Sequence, residues 1–195
     1  MANAAHLEQL GSGCESWNQW REAHPAAAID LSHAHLARAD LSGFNLSGVR
    51  LISTNLKYAN LSGANLRSAN LFDVNLSHAN LVNANLANAN LISSVLDSAQ
   101  LDTADLGFAK LTGAQLDHAS CEGTDFQKAN LSQASLRHTN LSQANLAGAN
   151  LWSANLKGAC LYQATLSSNS NLTAVIWGET VMPNGQVDDL ALLLG

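Results

Sequence analysis

From Leu31 to Leu166 every fifth position is leucine, with Cys121 and Phe126 as the only exceptions among 28. Two residues before each leucine the chain almost always carries a small residue, alanine in most units, as at Ala59, Ala64, Ala69, Ala79, Ala84 and Ala89. The residue between is mostly Asn or Asp. The two after it are mostly polar, and Gly43, Gly48, Gly63, Gly113, Gly123, Gly148 and Gly158 all fall at the second of them. A helix advances about 100° per residue, so leucines five apart would drift around its surface without forming an apolar face. A straight strand alternates with period two, so an odd repeat would throw successive leucines to opposite sides.

The pattern closes only if each unit is a short extended side followed by a corner. The small residue and the leucine lie two apart and point inward, and the residue between them points outward. The two residues after the leucine make the bend, where Ser, Gly, Asn and Asp tolerate turn geometry. Coils stacked at ~4.8 Å then satisfy one another's backbone groups, which predicts a solenoid. The period by itself leaves the number of sides open.

Units such as ADLSG (Ala39 to Gly43), ANLSG (Ala59 to Gly63) and ANLAN (Ala84 to Asn88) resemble the A(D/N)LXX motif of the pentapeptide repeat proteins. The resemblance covers Ile29 to Ser168 and implies an all-β fold, a right-handed, four-sided parallel β-helix with twenty residues per coil. The 28 units would then make seven coils, a rod roughly 34 Å long at one strand spacing per coil.

An open solenoid end exposes unpaired backbone and core, so both ends are expected to be capped. Residues 1–28 read as an N-terminal helical cap. Leu7, Leu10, Cys14 and Trp17 recur at helical intervals, Ser12 to Glu15 has the spacing of a capping box, and Pro25 stops the helix. WNQWREAHP resembles the leader helix of many cyanobacterial members of that family. Residues 169–195 read as a C-terminal cap: SSNSNL slips the register, a strand and a turn at Pro183 to Gly185 follow, and VDDLALLLG closes as a short helix started by Asp188 or Asp189. Its leucines would cover the last coil or pair two chains, leaving monomer or homodimer open.

Composition narrows the function by exclusion. No apolar run approaches the ~20 residues of a membrane span, and the start lacks the basic and apolar segments of a signal peptide, so a cytoplasmic protein is expected. Three cysteines without a CxxC fit a reducing compartment, with Cys121 pointing inward and Cys160 outward. No P-loop, nucleotide-binding glycine fingerprint, HExxH or nucleophile elbow is present, so the expectation is no enzyme, no catalytic residue and no cofactor. Stepping by twenty places Tyr58, His78, Ser98, His118 and His138 in one outward column. His118 and His138 are too few ligands for a metal site, which needs about three or four, so no metal is assigned.

The net charge of −6 invites comparison with family members that act as acidic, DNA-like rods on DNA gyrase. Between Ile29 and Ser168, however, eight bases nearly balance nine acids, and the excess lies at the two ends. A polyanion mimic should carry its charge along the rod. One acidic belt stands out: Asp97, Asp102, Asp105, Asp117, Glu122 and Asp125 in the expected fourth and fifth coils. The same stretch, Ser94 to Phe126, holds the departures Val95, Gln100, Lys110, Ser120, Cys121 and Phe126, and a phenylalanine in a leucine column is expected to bulge its coil.

The most site-like feature is apolar. The first bend position on one side reads Ser32, Ile52, Phe72, Ile92, Thr112, Ser132, Trp152, which stacks Ile52, Phe72 and Ile92 on the outside. Contiguous exposed apolar surface marks partner contact. The reading is a protein-interaction scaffold or regulatory module with a protein partner and without direct nucleic-acid or membrane binding. The alternatives are a gyrase-directed DNA mimic and, behind it, a metal or small-molecule binder on the histidine column. Among the relatives that the resemblance brings in, one regulates heterocyst differentiation.

Overall fold

The protein is described here from a computed structural model covering residues 2–188. The outward residue of each unit makes a single parallel bridge to the residue twenty positions on. Asn60, Asn65, Asn70 and Asn75 pair with Asn80, Asn85, Asn90 and Val95, and the series runs unbroken from Asp30↔Arg50 to Asn145↔Thr165. Four bridges per twenty residues make a four-sided parallel coil.

Each element of the five-residue unit has a visible duty. Leu61 N–H donates to the coil after it at Asn80 O, 2.7 Å, and Asn60 N–H donates to the coil before it at Ala39 O, 2.9 Å. Ala64 N–H closes the corner on Leu61 O at 3.0 Å, with Gly63 at φ 63° as the third turn residue. A positive φ at that position is the signature of a type II turn and explains where the glycines fall. The outward Asn or Asp serves the one bend N–H that the ladder leaves over: Asn60 Oδ1 accepts from Ser62 N at 3.2 Å, and Asn85 Oδ1 from Ala87 N at 3.0 Å. The amides also stack, Asn80 Nδ2 donating to Asn60 Oδ1 at 3.2 Å and Asn90 Nδ2 to Asn70 Oδ1 at 3.0 Å. The middle position therefore prefers Asn or Asp because a carboxamide or carboxylate oxygen completes the turn.

The leucines and small residues fill the interior and are almost wholly buried along the rod. Where threonine replaces alanine its hydroxyl is satisfied inside: Thr54, Thr124 and Thr139 donate to Leu31, Leu101 and Leu116 carbonyls at 2.9, 2.7 and 2.8 Å. The bulge expected at Phe126 does not occur. Phe126 is fully buried, and the ladder passes through it with Phe126 N to Asn145 O at 2.8 Å. Cys121, one side earlier in the same coil, is smaller than leucine and offsets the added volume.

All three cysteines are free thiols, Cys121 buried and Cys14 and Cys160 half-buried. Burial pushes the Cys121 thiol far up, and the Asp102 carboxylate adds to that. A disulfide-exchange reagent such as DTNB is therefore expected to modify Cys14 and Cys160 in the native protein and Cys121 only after unfolding. Rapid reaction of all three thiols would contradict this placement.

The single helix expected before the repeats is two. Helix α1 spans Ala4–Gly11 and α2 spans Cys14–Ala23. Ser12 is not the N-cap of a capping box: its hydroxyl donates to Gln9 O at 2.6 Å and ends α1, while Gly13, at φ 95°, opens α2 without a side-chain bond. The N-cap of α1 is Asn3, whose Oδ1 accepts from Ala5 N at 2.9 Å.

These helices and the N-cap residue Asn3 supply side chains and one backbone N–H where a preceding coil would supply backbone. Asp30 N donates to His6 Nδ1 at 3.1 Å, and Asp30 O accepts from Asn3 N at 3.0 Å. Asn45 N donates to Asn18 Oδ1 at 2.7 Å, and Asn45 O accepts from Trp17 Nε1 at 2.8 Å. The Arg21 guanidinium donates to Ser47 O at 2.7 Å. Burial lowers the Arg21 pKa below its ordinary value. Trp17 is fully buried against Trp20 and Phe44.

At the other end the leucine frame and the coil do not stop together. The bridges continue as Asn150↔Asn171, Asn155↔Ile176 and Cys160↔Val181, now twenty-one apart. One residue is inserted in SSNSNL, and serine hydroxyls fill the step: Gly148 N donates to Ser167 Oγ at 2.9 Å and Ser170 Oγ at 3.1 Å. The chain then forms β1 (Thr180–Val181), a turn over 183–185 and β2 (Val187–Asp188), an antiparallel pair. The helix expected over the last residues lies outside the described ones.

Candidate functional site

Because the frame is constant, the surface varies by column, one residue per coil. The column holding Ile52, Phe72 and Ile92 is built by successive coils: Ser53 N donates to Phe72 O at 2.9 Å, and Asp73 N to Ile92 O at 3.0 Å. Phe72 is 41% exposed, with Ile52 and Ile92 half-buried beside it. A polar edge runs along one flank, where Ser53 Oγ donates to Asp73 Oδ2 at 2.8 Å. Farther along, the Thr112 and Ser132 hydroxyls meet at 3.3 Å, and Trp152 is again exposed.

The six acids of the belt come together as three stacked pairs. Asp97 lies against Asp117, Asp102 against Glu122, and Asp105 is bridged to Asp125. Five of the six give one oxygen to the frame. Asp117 N donates to Asp97 Oδ1 at 3.1 Å and Glu122 N to Asp102 Oδ1 at 2.9 Å, while Asp105 and Asp125 accept from Gly107 N and Gln127 N at 2.9 and 2.8 Å. Asp117 Oδ1 takes Arg137 N at 3.0 Å, and its Oδ2 lies 4.0 Å from the Arg137 guanidinium. Among the described residues only Asp117 of the six has a cationic partner, and the hydrogen bonds from neutral N–H groups orient the carboxylates and leave their charge in place.

In the histidine column, the His118 and His138 rings stack at 5.1 Å and 12°. The next position is Gly158, where a Cβ would collide with His138 Nδ1, so this glycine leaves the ring its place. Tyr58 and His78 stack at 4.9 Å and 11°. Among the described residues, no group of three or more His, Cys, Asp or Glu could hold a metal ion.

Three cation–aromatic contacts, on two rings, were not anticipated from the sequence. Arg38 and Lys57 lie 5.6 and 5.2 Å from the Tyr58 ring, and Lys128 lies 5.2 Å from the exposed Phe108 ring. The step of twenty that aligned the histidines also pairs Arg38 with Tyr58 and Phe108 with Lys128. Among the described residues no helix is long and apolar enough to cross a membrane.

The family model described as pentapeptide repeats matches residues 29–67, 69–107, 104–143 and 129–167, with eight copies in all. The chain belongs to the pentapeptide repeat family, whose fold is the right-handed quadrilateral β-helix. It is similar to HetL, a pentapeptide repeat protein involved in heterocyst differentiation regulation from Nostoc sp. strain PCC 7120, at 34% identity over 81% of this chain and 78% of that one, TM-score 0.40. It is also similar to Rfr23 from Cyanothece 51142, at 28% identity over 83% and 97%, TM-score 0.34. QnrB1, a plasmid-mediated fluoroquinolone resistance protein, aligns at 16% identity over 86% and 95%, TM-score 0.46. None of the curated proteins matches the chain.

Proposed function

We propose that this protein is a non-enzymatic interaction scaffold of seven leucine coils, capped by residues 1–28 and 169–195, that binds a protein partner through the face carrying Ile52, Phe72 and Ile92. The observation that supports this most is the exposed Phe72 ring between two aliphatic neighbours, on a corner that most other units fill with small, polar or charged residues. A rigid backbone spends little ordering entropy on binding, so a modest apolar patch suffices for recognition.

The scaffold reading has more support than the polyanion mimic, because the rod is near neutral and six of its nine acids are gathered in two coils rather than spread along it. On this reading the protein leaves the supercoiling activity of DNA gyrase unchanged even in large excess, and inhibition or protection of the enzyme would favour the mimic.

Phe72→Asp is the direct test. Its ring lies outside the core, so the urea midpoint is expected to stay at the wild-type value while capture of the native partner drops by roughly tenfold or more. Undiminished capture would remove the patch from the binding surface.

A further inference from the structure

The N-terminal helices satisfy only part of the first coil's edge. On the sides holding Asp30 and Asn45, each N–H and C=O of those two residues is partnered by α1, α2 or the segment before them. On the two sides between, His35 and Asp40 have no backbone hydrogen bond to N–H or C=O among the described residues. Burial follows this division at Leu36 and Ala39, while Ala34 and Leu41 on the same two sides are buried. Leu31 and Leu46, above the helices, are fully buried, whereas Leu36 and Ala39 are only half-buried although Leu56 and Ala59, one coil further on, are closed off. A groove of about 270 Å³ runs there, lined by Leu7, Leu10, Leu36, Ala39, Asp40 and Phe44 among others.

The missing partners have a defined pattern, since every interior coil displays it. The coil below contributes a leucine N–H to the outward residue's C=O, as Leu36 N does to Asn55 O at 2.8 Å. It receives that residue's N–H on the carbonyl of its small residue, as Ala34 O does from Asn55 N at 3.0 Å. An occupant must therefore be extended, run parallel to the edge, and place a small and an aliphatic residue two apart toward Leu36 and Ala39.

Charge fixes the residue between them. Within the rod the upper amide donates to the lower oxygen, and Asn60 Nδ2 gives Asp40 Oδ1 its bond at 3.0 Å. The Asp40 side chain, a carboxylate, has no N–H to pass down. Its Oδ1 also takes Ser42 N and Oγ, and Oδ2 has no partner among the described residues. Hydrogen bonds from Ser42, then from Asn60, hold this carboxyl below the usual range, so it is ionised at neutral pH. Its match is a basic side chain. A second copy stacked end to end does not fit, because α1 and α2 occupy the other two sides and block a complete coil.

We propose that this open half of the edge is a docking site for an extended peptide segment with a small, a basic and an aliphatic residue in succession, added as a strand beneath His35 and Asp40. Such strand addition draws affinity from main-chain bonds and specificity from alternate side chains. The site is distinct from the Ile52, Phe72, Ile92 face, and Phe72→Asp is expected to leave it intact.

The test titrates the ¹⁵N-labelled full chain with the peptide acetyl-Ala-Asn-Leu-Ser-Gly-Ala-Lys-Leu-amide. Amide shifts are expected at His35, Leu36 and Asp40 and not at Phe72 or Asp73. N-methylation of both peptide leucine amides is expected to abolish them. Exchanging the peptide lysine for glutamate, or Asp40→Lys in the protein, is expected to weaken binding about tenfold. Asp40→Asn, which retains the Oδ1 acceptor for Ser42 and Asn60, should give a smaller loss with an otherwise unchanged spectrum. Absence of shifts at His35 and Asp40, equal binding of the N-methylated peptide, or sedimentation showing that two copies cover the edge would overturn the proposal.

Discussion

Leu86→Ala is expected to lower the unfolding free energy by about 2–5 kcal/mol, and Ser62→Ala by well under ~1 kcal/mol. Leu86 lies mid-rod and is fully buried, and its N–H is tied to Asp105 O at 2.7 Å. Truncating it removes the transfer energy of the side chain and leaves a cavity. Column neighbours cannot collapse into that cavity without breaking bridges on both sides. In a solenoid each coil touches only its neighbours, so the loss falls on two interfaces at once. Ser62 is a bend residue whose structural bond is its backbone N–H to Asn60 Oδ1, which alanine retains. Equilibrium urea unfolding of the two variants checks this, and equal losses would contradict the inward and outward assignment of the five-residue unit.

Trp17→Ala is expected to cost about 3–5 kcal/mol, unusually much for a residue outside the repeats. Trp17 fills the space between Trp20 and Phe44, with ring centroids 5.7 and 6.4 Å away, and its Nε1 closes Asn45 O. Trp17→Phe separates the two contributions. It keeps most of the ring and leaves one part-buried carbonyl without its donor, which costs about 1 kcal/mol. The alanine variant also opens a coil edge, so it should associate at concentrations where the wild type does not. An unchanged urea midpoint for Trp17→Ala would show that α2 contributes nothing to the first coil.

The repeat was legible because one rule, a small residue and a leucine two apart on every side, governs both chemistry and geometry. The middle Asn or Asp was legible as a position but not as a duty, since its amide bonds the bend of its own unit and the coil below simultaneously. The helix break at Ser12 and Gly13 was hidden because Leu7, Leu10, Cys14 and Trp17 keep helical spacing across it. The coil's passage beyond Leu166 was hidden by one inserted residue. Leu172, Trp177 and Met182 remain five apart, in a frame shifted by one. The edge partners His6, Asn18 and Arg21 have no periodic signature at all, because each replaces a backbone group that would belong to another coil.

For the site, the sequence placed Ile52, Phe72 and Ile92 in one outward column and the six acids in adjacent coils. It did not reveal that five of the acids also accept hydrogen bonds from frame N–H groups, which gives those carboxylates a structural duty beside their charge. It also did not reveal the half-open edge at His35 and Asp40, visible only once the helices are seen to cover the other two sides.

The central claim is that the scaffold meets its partner on one corner and not around its whole circumference. Photocrosslinking in the protein's native cells measures this directly, with benzoylphenylalanine placed at position 72 or at position 62, half a coil away. The account predicts a discrete protein adduct from position 72 and none from position 62. Equal adducts from both positions, or none from 72, would contradict it.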